Sequence, residues 1–254
     1  MTQPLFWDSY WESIPIPNRV DPGSNHVLRS MDRLLVRHLP RGAGLRFLEV
    51  GCAPGRWLLY FSERFGYTAL GCDTSRTGLR LTRKNLELCG GRPGAVFESS
   101  TESIAFAAES LDVVASFGLI EHFGDPWKAI GEQVRLVKPG GYLVLSMPNY
   151  GGLNGLLYRL FDPAVLGWHN RETMTRGFLE EVGRRWSLET LVAAPIGGWT
   201  PADYSFRRPR GLAPALGLVR RLLARVRQPL VGLDHLNSAW FSGYWMAIYR
   251  RPGG

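Results

Sequence analysis

The 254-residue sequence contains little cysteine, little lysine and no long apolar run. Its three cysteines, Cys52, Cys72 and Cys89, are scattered, which argues against a disulfide framework or a cysteine metal cluster and indicates a reducing cytosol. No apolar run approaches the length of a membrane span, and the first residues show neither the basic region nor the apolar core of an export signal. We therefore expect a cytoplasmic protein with one large domain.

Apolar segments of strand length alternate with helical patterns through the first 150 residues. The predicted strands are 46–50, 68–72, 95–98, 111–116 and 142–147. The predicted helices are 25–39, 55–65, 76–89 and 126–137. This alternation predicts a parallel sheet covered by helices.

The remaining segments are less regular. They comprise an irregular or short helical cap at 4–24, a loop-rich segment at 150–172, a helix at 173–186, a strand near 188–194, an insertion at 196–238 and a last strand at 241–249. The length of the insertion is too great for a hairpin turn.

Two strand ends carry the most informative residues. The apolar run 47–50 leads into a turn with Gly51 and Gly55, where glycine relieves the backbone between a strand and a helix. The next apolar run ends at Asp73, 22 residues after Gly51. A carboxylate at this distance lies at the end of the neighbouring strand, where it can accept both hydroxyls of a ribose.

The glycine spacing distinguishes between a dinucleotide and a nucleoside as the ligand. A dinucleotide turn requires G-x-G-x-x-G, and these positions are Gly51, Ala53 and Arg56 here, so only the first fits. A nucleoside without phosphates, such as S-adenosylmethionine, requires only room for its methionine tail. Glu49 would then orient the amino group of that tail.

Four motifs in this order resemble the class I S-adenosylmethionine-dependent methyltransferases, especially those that act on small molecules. They are LEVGCAPG at 48–55, GCDTS at 71–75, SLDVV at 110–114 with IEH at 120–122, and LVKPGGYL at 136–143. The resemblance implies an α/β, Rossmann-like three-layer sandwich with a seven-stranded, mostly parallel sheet and an antiparallel last strand. It also implies one methyltransferase domain over 1–254, with a cap and first helix (1–40), a cofactor core (45–150), acceptor-site segments and a basic insertion (150–238) and the last strand (239–254).

The resemblance also assigns cofactor-binding residues. Around the methionine part it places Glu49, Gly51, Cys52, Ala53 and Gly55. It implies that Asp73 binds the ribose and that Thr74 lies against the adenine. Many members carry an acid near the adenine amine, and Ser100, next to Thr101, stands at that position here. Phe117 and Gly118 would line the methyl-donor pocket.

Glu121 and His122 are the candidate catalytic residues, because they follow the fourth strand, where the donor methyl is expected. A base is needed only where the acceptor is protonated, and histidine suits proton removal at cytosolic pH. The alternative is that His122 is a structural hydrogen-bonding residue. Ubiquinone-type O-methyltransferases share the Glu-His pair but carry a further acid where Gly118 stands, so no catalytic metal is expected.

Aromatic residues are the candidates for contact with the acceptor. They are Trp7, Tyr10 and Trp11 in the N-terminal cap, and Tyr150, Trp168 and His169 after the fifth strand, with Tyr158, Trp199 and Tyr204 in the same region. The cap residues could equally be packing residues, and for each residue after the fifth strand packing is the favoured alternative.

The chain has a net charge of +8, and most of this charge lies in 201–254. That segment contains nine arginines and two aspartates. Within 212–227 the apolar residues share one helical arc and the arginines lie outside it. Three interpretations remain open: a solvated helix face, a surface that attracts an acidic acceptor or carrier protein, and a surface that rests on an anionic membrane. Nucleic acid is disfavoured, because 116–119 lacks the signature of the DNA amino-methyltransferases.

These observations predict a methyltransferase that acts on a small organic acceptor, with oxygen favoured over nitrogen or carbon. Two alternatives are an enzyme that uses the same cofactor for other chemistry and a non-catalytic binding module with this fold.

Overall fold

The computed structural model describes residues 4–91, 94–199 and 236–253. Its strands are β1 (Arg46–Val50), β2 (Thr68–Asp73), β3 (Val96–Glu98), β4 (Leu111–Phe117), β5 (Val137–Pro148), β6 (Glu189–Trp199) and β7 (Ser242–Arg250). They form one seven-stranded sheet in the order β3-β2-β1-β4-β5-β7-β6. The first five strands are parallel, and β7 runs antiparallel to both β5 and β6. The predicted fold class is confirmed.

Helices cover both faces of this sheet. They are α1 (Pro4–Glu12), α2 (His26–His38), α3 (Arg56–Phe65), α4 (Arg76–Leu88), α5 (Trp127–Leu136), α6 (Gly152–Phe161), α7 (Pro163–Gly167) and α8 (Arg176–Arg185). One apolar core joins the sheet to α2, α3 and α4, and a second core joins it to α5 and α8. The result is the expected three-layer arrangement.

Strand β1 lies in the middle of the sheet and is buried on both faces. Phe47 belongs to the first core and Leu48 to the second, because successive side chains of a strand point to opposite faces. Val50 is in register with Cys72 of β2. The turn after β1 and Asp73 at the end of β2 are therefore brought to the same edge of the sheet.

The prediction of a loop-rich segment at 150–172 was wrong, because α6 and α7 occupy much of it. The sequence did not predict α6 because glycines stand at 151, 152 and 155, and glycine disfavours a helix. Tertiary contacts overcome that preference. The Leu153 amide donates to the Trp240 carbonyl (2.8 Å), and the Asn154 side chain donates to the Ser242 carbonyl (2.8 Å).

Two parts of the sequence-based interpretation fall outside the described residues. These are the amphipathic arginine segment at 212–227 and Tyr204, which belong to the predicted insertion. In the part of the chain that is described, no helix combines the length and apolarity needed to cross a membrane.

Candidate active site

A cavity of about 1290 Å³ lies at the carboxyl edge of the parallel strands. One part, which we call the β1–β2 half, contains Glu49, Gly51, Ala53, Asp73, Thr74, Ser100 and Thr101. The other part, the β4–β5 half, contains Glu121, His122, Tyr150, Trp168 and His169. Phe117 and Gly118 line the cavity as well, and α1 contributes Trp7, Tyr10 and Trp11. The structure therefore brings together nearly all of the residues that the sequence singled out.

Among the predicted cofactor residues, Cys52 and Gly55 are the two exceptions, since neither lines the cavity. Cys52 is buried in the core, where its side chain packs against Gly71. Gly55 has φ +86°, and a Cβ there would lie 2.7 Å from the Thr82 methyl carbon. Both residues shape the turn, and a motif comparison cannot separate such residues from those that face a ligand.

Asp73 is held by the backbone of two loops. Its Oδ1 accepts a hydrogen bond from the Ser75 amide (2.9 Å), and its Oδ2 accepts one from the Ala53 amide (3.2 Å). Burial raises the pKa of Asp73, and these amide bonds partly offset the rise. Each carboxylate oxygen retains a lone pair, so the fixed carboxylate can still accept bonds from ligand hydroxyls.

Glu49 carries an unsatisfied buried oxygen. Only 2% of the residue is exposed, and its Oε2 has no hydrogen-bond partner among the described residues. Burial raises the pKa of Glu49 well above its ordinary value, although the charge of Arg56 opposes this rise. A buried carboxyl oxygen without a partner fits a ligand that brings its own donor, such as an amino group.

The end of β4 shapes the middle of the cavity. The ring of Phe117 stacks on the ring of Trp57 at a centroid distance of 4.1 Å. Gly118 then turns the chain with φ +73° into a single 3₁₀ turn at Ile120–His122. This turn places Glu121 and His122 against the cavity.

Glu121 is the second acid with an unsatisfied oxygen in the cavity. It is 1% exposed, and its Oε2 has no partner within the described residues. Burial raises the pKa of Glu121 to about 8. The group is therefore mostly protonated at neutral pH.

His122 is neutral and oriented. Its Nδ1 lies 3.3 Å from the Trp168 carbonyl oxygen, which can only accept, so Nδ1 carries the proton and Nε2 keeps its lone pair. Burial, and then the neighbouring His169, lower the pKa of His122 to about 4. The ring is therefore uncharged at neutral pH, with a free lone pair on Nε2.

A continuous series of rings, which we call the ring arc, lines the β4–β5 half. It comprises Trp7, His122, His169, Tyr150 and Tyr158, with successive centroids 4.8, 4.6, 4.9 and 4.8 Å apart. The Nδ1 of His169 donates to the Val165 carbonyl (2.6 Å), and burial lowers the pKa of His169. The arc is aromatic, and its two imidazoles are uncharged at neutral pH.

Asp8 and Tyr244 are among the lining residues that the sequence analysis did not single out. Asp8 accepts a hydrogen bond from the Ser75 hydroxyl (2.7 Å) and so joins α1 to the start of α4. Tyr244 reaches the cavity because antiparallel β7 pairs it with Pro148 at the end of β5. Nothing in the local sequence of Tyr244 indicates that position. Within 4–91, 94–199 and 236–253, the cavity included, no three His, Cys, Asp or Glu side chains converge as a metal site would require.

Comparison with known proteins finds similarity in sequence and in fold to methyltransferases. Residues 48–145 match a family model described as a methyltransferase domain. The ubiquinone biosynthesis O-methyltransferase of Ruegeria pomeroyi is 29% identical over 172 residues, which cover 66% of this chain and 68% of that protein. The chain spans between 44% and 68% of the length of such curated relatives.

Solved structures show the same architecture. A SAM-dependent methyltransferase from Thermotoga maritima superposes with a TM-score of 0.59 at 17% identity, covering 98% of this chain and 97% of that one. Phosphoethanolamine N-methyltransferase 2 from Haemonchus contortus, solved with S-adenosyl-L-methionine, gives a TM-score of 0.60 at 17% identity, covering 87% of this chain and 51% of that one.

Proposed function

We propose that this chain, a class I S-adenosylmethionine-dependent methyltransferase, transfers the methyl group of S-adenosylmethionine to a small organic acceptor. A hydroxyl oxygen is the favoured accepting atom. The observation that carries the proposal is the shared cavity. Its β1–β2 half presents Glu49 and Asp73, and its β4–β5 half presents a neutral, oriented His122.

The β1–β2 half supplies groups that fit each part of the cofactor. Glu49, whose Oε2 is unsatisfied, would pair with the amino group of the methionine part. Asp73 would accept the ribose hydroxyls, since amides of two loops fix its carboxylate. Thr74, Ser100 and Thr101 would border the adenine. When bound, S-adenosylmethionine supplies a sulfonium methyl group, which is a good electrophile.

His122 would act on the acceptor. Its Nε2 lone pair can take the proton of a hydroxyl as that oxygen becomes a nucleophile, while Nδ1 stays on the Trp168 carbonyl. The ring arc would exclude water and hold the acceptor in line with the donor. The Ruegeria pomeroyi relative is named as an O-methyltransferase, which supports oxygen as the accepting atom.

The test is methyl transfer from S-adenosylmethionine labelled on its methyl group to a panel of matched alcohols, phenols, amines and carbon acids. We expect labelled product from a hydroxyl acceptor, located by mass spectrometry, and its loss in Asp73→Asn. Labelled product on nitrogen or carbon alone would contradict the preference for oxygen. A changed but unlabelled product would favour other chemistry with the same cofactor, and cofactor binding without any product would favour a binding module.

A further inference from the structure

Two buried carboxyl oxygens in the cavity lack a partner among the described residues, and only one is explained by the proposed cofactor. Glu49 lies in the β1–β2 half, where the cofactor's amino group would satisfy it. Glu121 lies in the β4–β5 half, at 1% exposure. Leaving such an oxygen unpaired costs stability, so its retention beside a cavity indicates a ligand group that bonds to it.

The charges around Glu121 restrict that group. Of the cavity-lining residues that the structure describes, the lysines and arginines are Arg56 and Arg76, which start α3 and α4 on the other side. Arg76 is paired with Glu98 at 2.8 Å. The nearby His122 and His169 are uncharged, because burial lowers the pKa of each. In the described chain, therefore, a carboxylate at Glu121 would lack a cationic neighbour.

The walls of the same half favour a cation as well. The ring arc passes from Trp7 through His122 and His169 to Tyr150 and Tyr158. Burial raises the pKa of the Tyr150 phenol, and the charges of Tyr158, Tyr244 and Glu121 add smaller contributions. Tryptophan and tyrosine faces attract ammonium groups, most strongly where water is excluded.

We propose that the β4–β5 half binds a protonated amine carried by the acceptor, with Glu121 as its counter-ion and the ring arc as its walls. The proposal rests on the proposed function, since it assumes that the acceptor occupies this half. The amine is a binding group, and the methylated hydroxyl remains the one beside His122. Binding of the ammonium form at pH 7 displaces the proton of the Glu121 carboxyl into solvent, so one proton is released for each amine bound.

Three probes of one shape and different charge test the proposal. Phenethylamine, 2-phenylethanol and phenylacetate are titrated into protein saturated with S-adenosylhomocysteine. We expect phenethylamine to bind about tenfold or more tighter than the alcohol, and phenylacetate to bind weakest. Equal or tighter binding of the alcohol or the anion, or no binding of any probe, would overturn the proposal.

Variants separate the role of the carboxyl from that of the rings. Glu121→Gln should reduce the preference for amine over alcohol to within about threefold, whereas the exposed Glu87→Gln should keep it. Tyr150→Leu should weaken amine binding, and Tyr150→Phe should restore it because the ring is retained. A full preference in folded Glu121→Gln would contradict the proposal. If that variant does not fold, the wild-type probe series still decides.

Proton release provides a second readout. Calorimetry of phenethylamine binding at pH 7 in two buffers of different ionisation enthalpy should show about one proton released by wild type. A value of zero for wild type would remove Glu121 as the counter-ion. Titration of the same sample with S-adenosylhomocysteine separates the two proposals: loss of that binding contradicts the proposed function, whereas normal binding without amine preference contradicts this inference alone.

Discussion

Glu121 is a buried carboxyl with an oxygen that has no partner among the described residues. Ionisation of such a group destabilises the folded, ligand-free protein. The folded pKa of about 8 lies above the ordinary value of 4.5. The unfolded chain therefore loses this proton first, and the folded state loses stability as pH rises from about 4.5 to about 8. This pH dependence of stability is opposite to that of an acid in an ion pair, whose folded pKa is lowered.

Glu121→Gln should consequently stabilise the ligand-free protein at pH 8. We expect a gain on the order of 2 kcal/mol in the free energy of unfolding, because the neutral amide never has to ionise. Denaturant unfolding at pH 5 and pH 8 measures it, and the gain should shrink at pH 5. The exposed Glu87→Gln is the control. A variant that is less stable than wild type at pH 8 would show that Glu121 is already satisfied in the folded state.

His122 should be required for turnover but not for cofactor binding. With a hydroxyl acceptor, His122→Ala should lower kcat by about 10² to 10⁴, the usual effect of a lost general base, while affinity for S-adenosylhomocysteine stays unchanged. Since the pKa of His122 is lowered to about 4, its protonation should reduce kcat only as the pH approaches that value. Steady-state kinetics from pH 4.5 to 9 tests both points. His38→Ala, on α2 and away from the cavity, is the control. Full activity of His122→Ala would show that His122 is not the general base.

At the scale of elements, α1 connects the two halves of the cavity. Asp8 bonds to Ser75 at the start of α4, and Trp7 packs edge-on against His122. Trp11 contacts Gly78 on α4 so closely that a Cβ there would lie 2.9 Å from its ring. Helix α1 therefore covers both the ribose side and the proposed base.

Asp8→Ala should accelerate release of the cofactor product. Removal of the 2.7 Å bond to the Ser75 hydroxyl loosens α1, so the dissociation rate of S-adenosylhomocysteine should rise about threefold to tenfold. Stopped-flow displacement followed by tryptophan fluorescence measures this rate. Glu12→Ala, at the end of the same helix and away from the cavity, is the control. An unchanged rate would mean that α1 does not limit release.

The turn between β1 and α3 depends on a left-handed glycine. Gly55→Ala should lower the free energy of unfolding by about 1 to 3 kcal/mol, because alanine disfavours φ +86° and its Cβ would meet Thr82 at 2.7 Å. Gly124→Ala, where no atom lies within 4 Å, is the matched control. Equal unfolding midpoints for the two variants in urea would contradict this description of the turn.

For the whole molecule, the sheet and half of the site could be predicted from local sequence. The apolar run before Gly51 and the run ending at Asp73 pair as neighbouring parallel strands, as their pattern predicts, and their register brings both ends to one edge. Every predicted cofactor residue except Cys52 and Gly55 lines the cavity.

The remainder depends on contacts between distant segments. Helix α6 forms although its sequence contains glycines, because the chain near Ser242 binds its backbone and side chains. Tyr244 enters the cavity only through the antiparallel pairing of β7 with β5. The protonation states of Glu121 and His122 are set by burial, which no local pattern records.

The most direct test of the cofactor site is a calorimetric titration of the folded wild-type protein and of Asp73→Asn with S-adenosylhomocysteine. We expect one-to-one, micromolar binding by wild type and at least tenfold weaker binding by the variant, because the amide cannot accept both ribose hydroxyls as the carboxylate does. Equal affinities, or no binding by the wild-type protein, would contradict the assignment of the β1–β2 half to the cofactor.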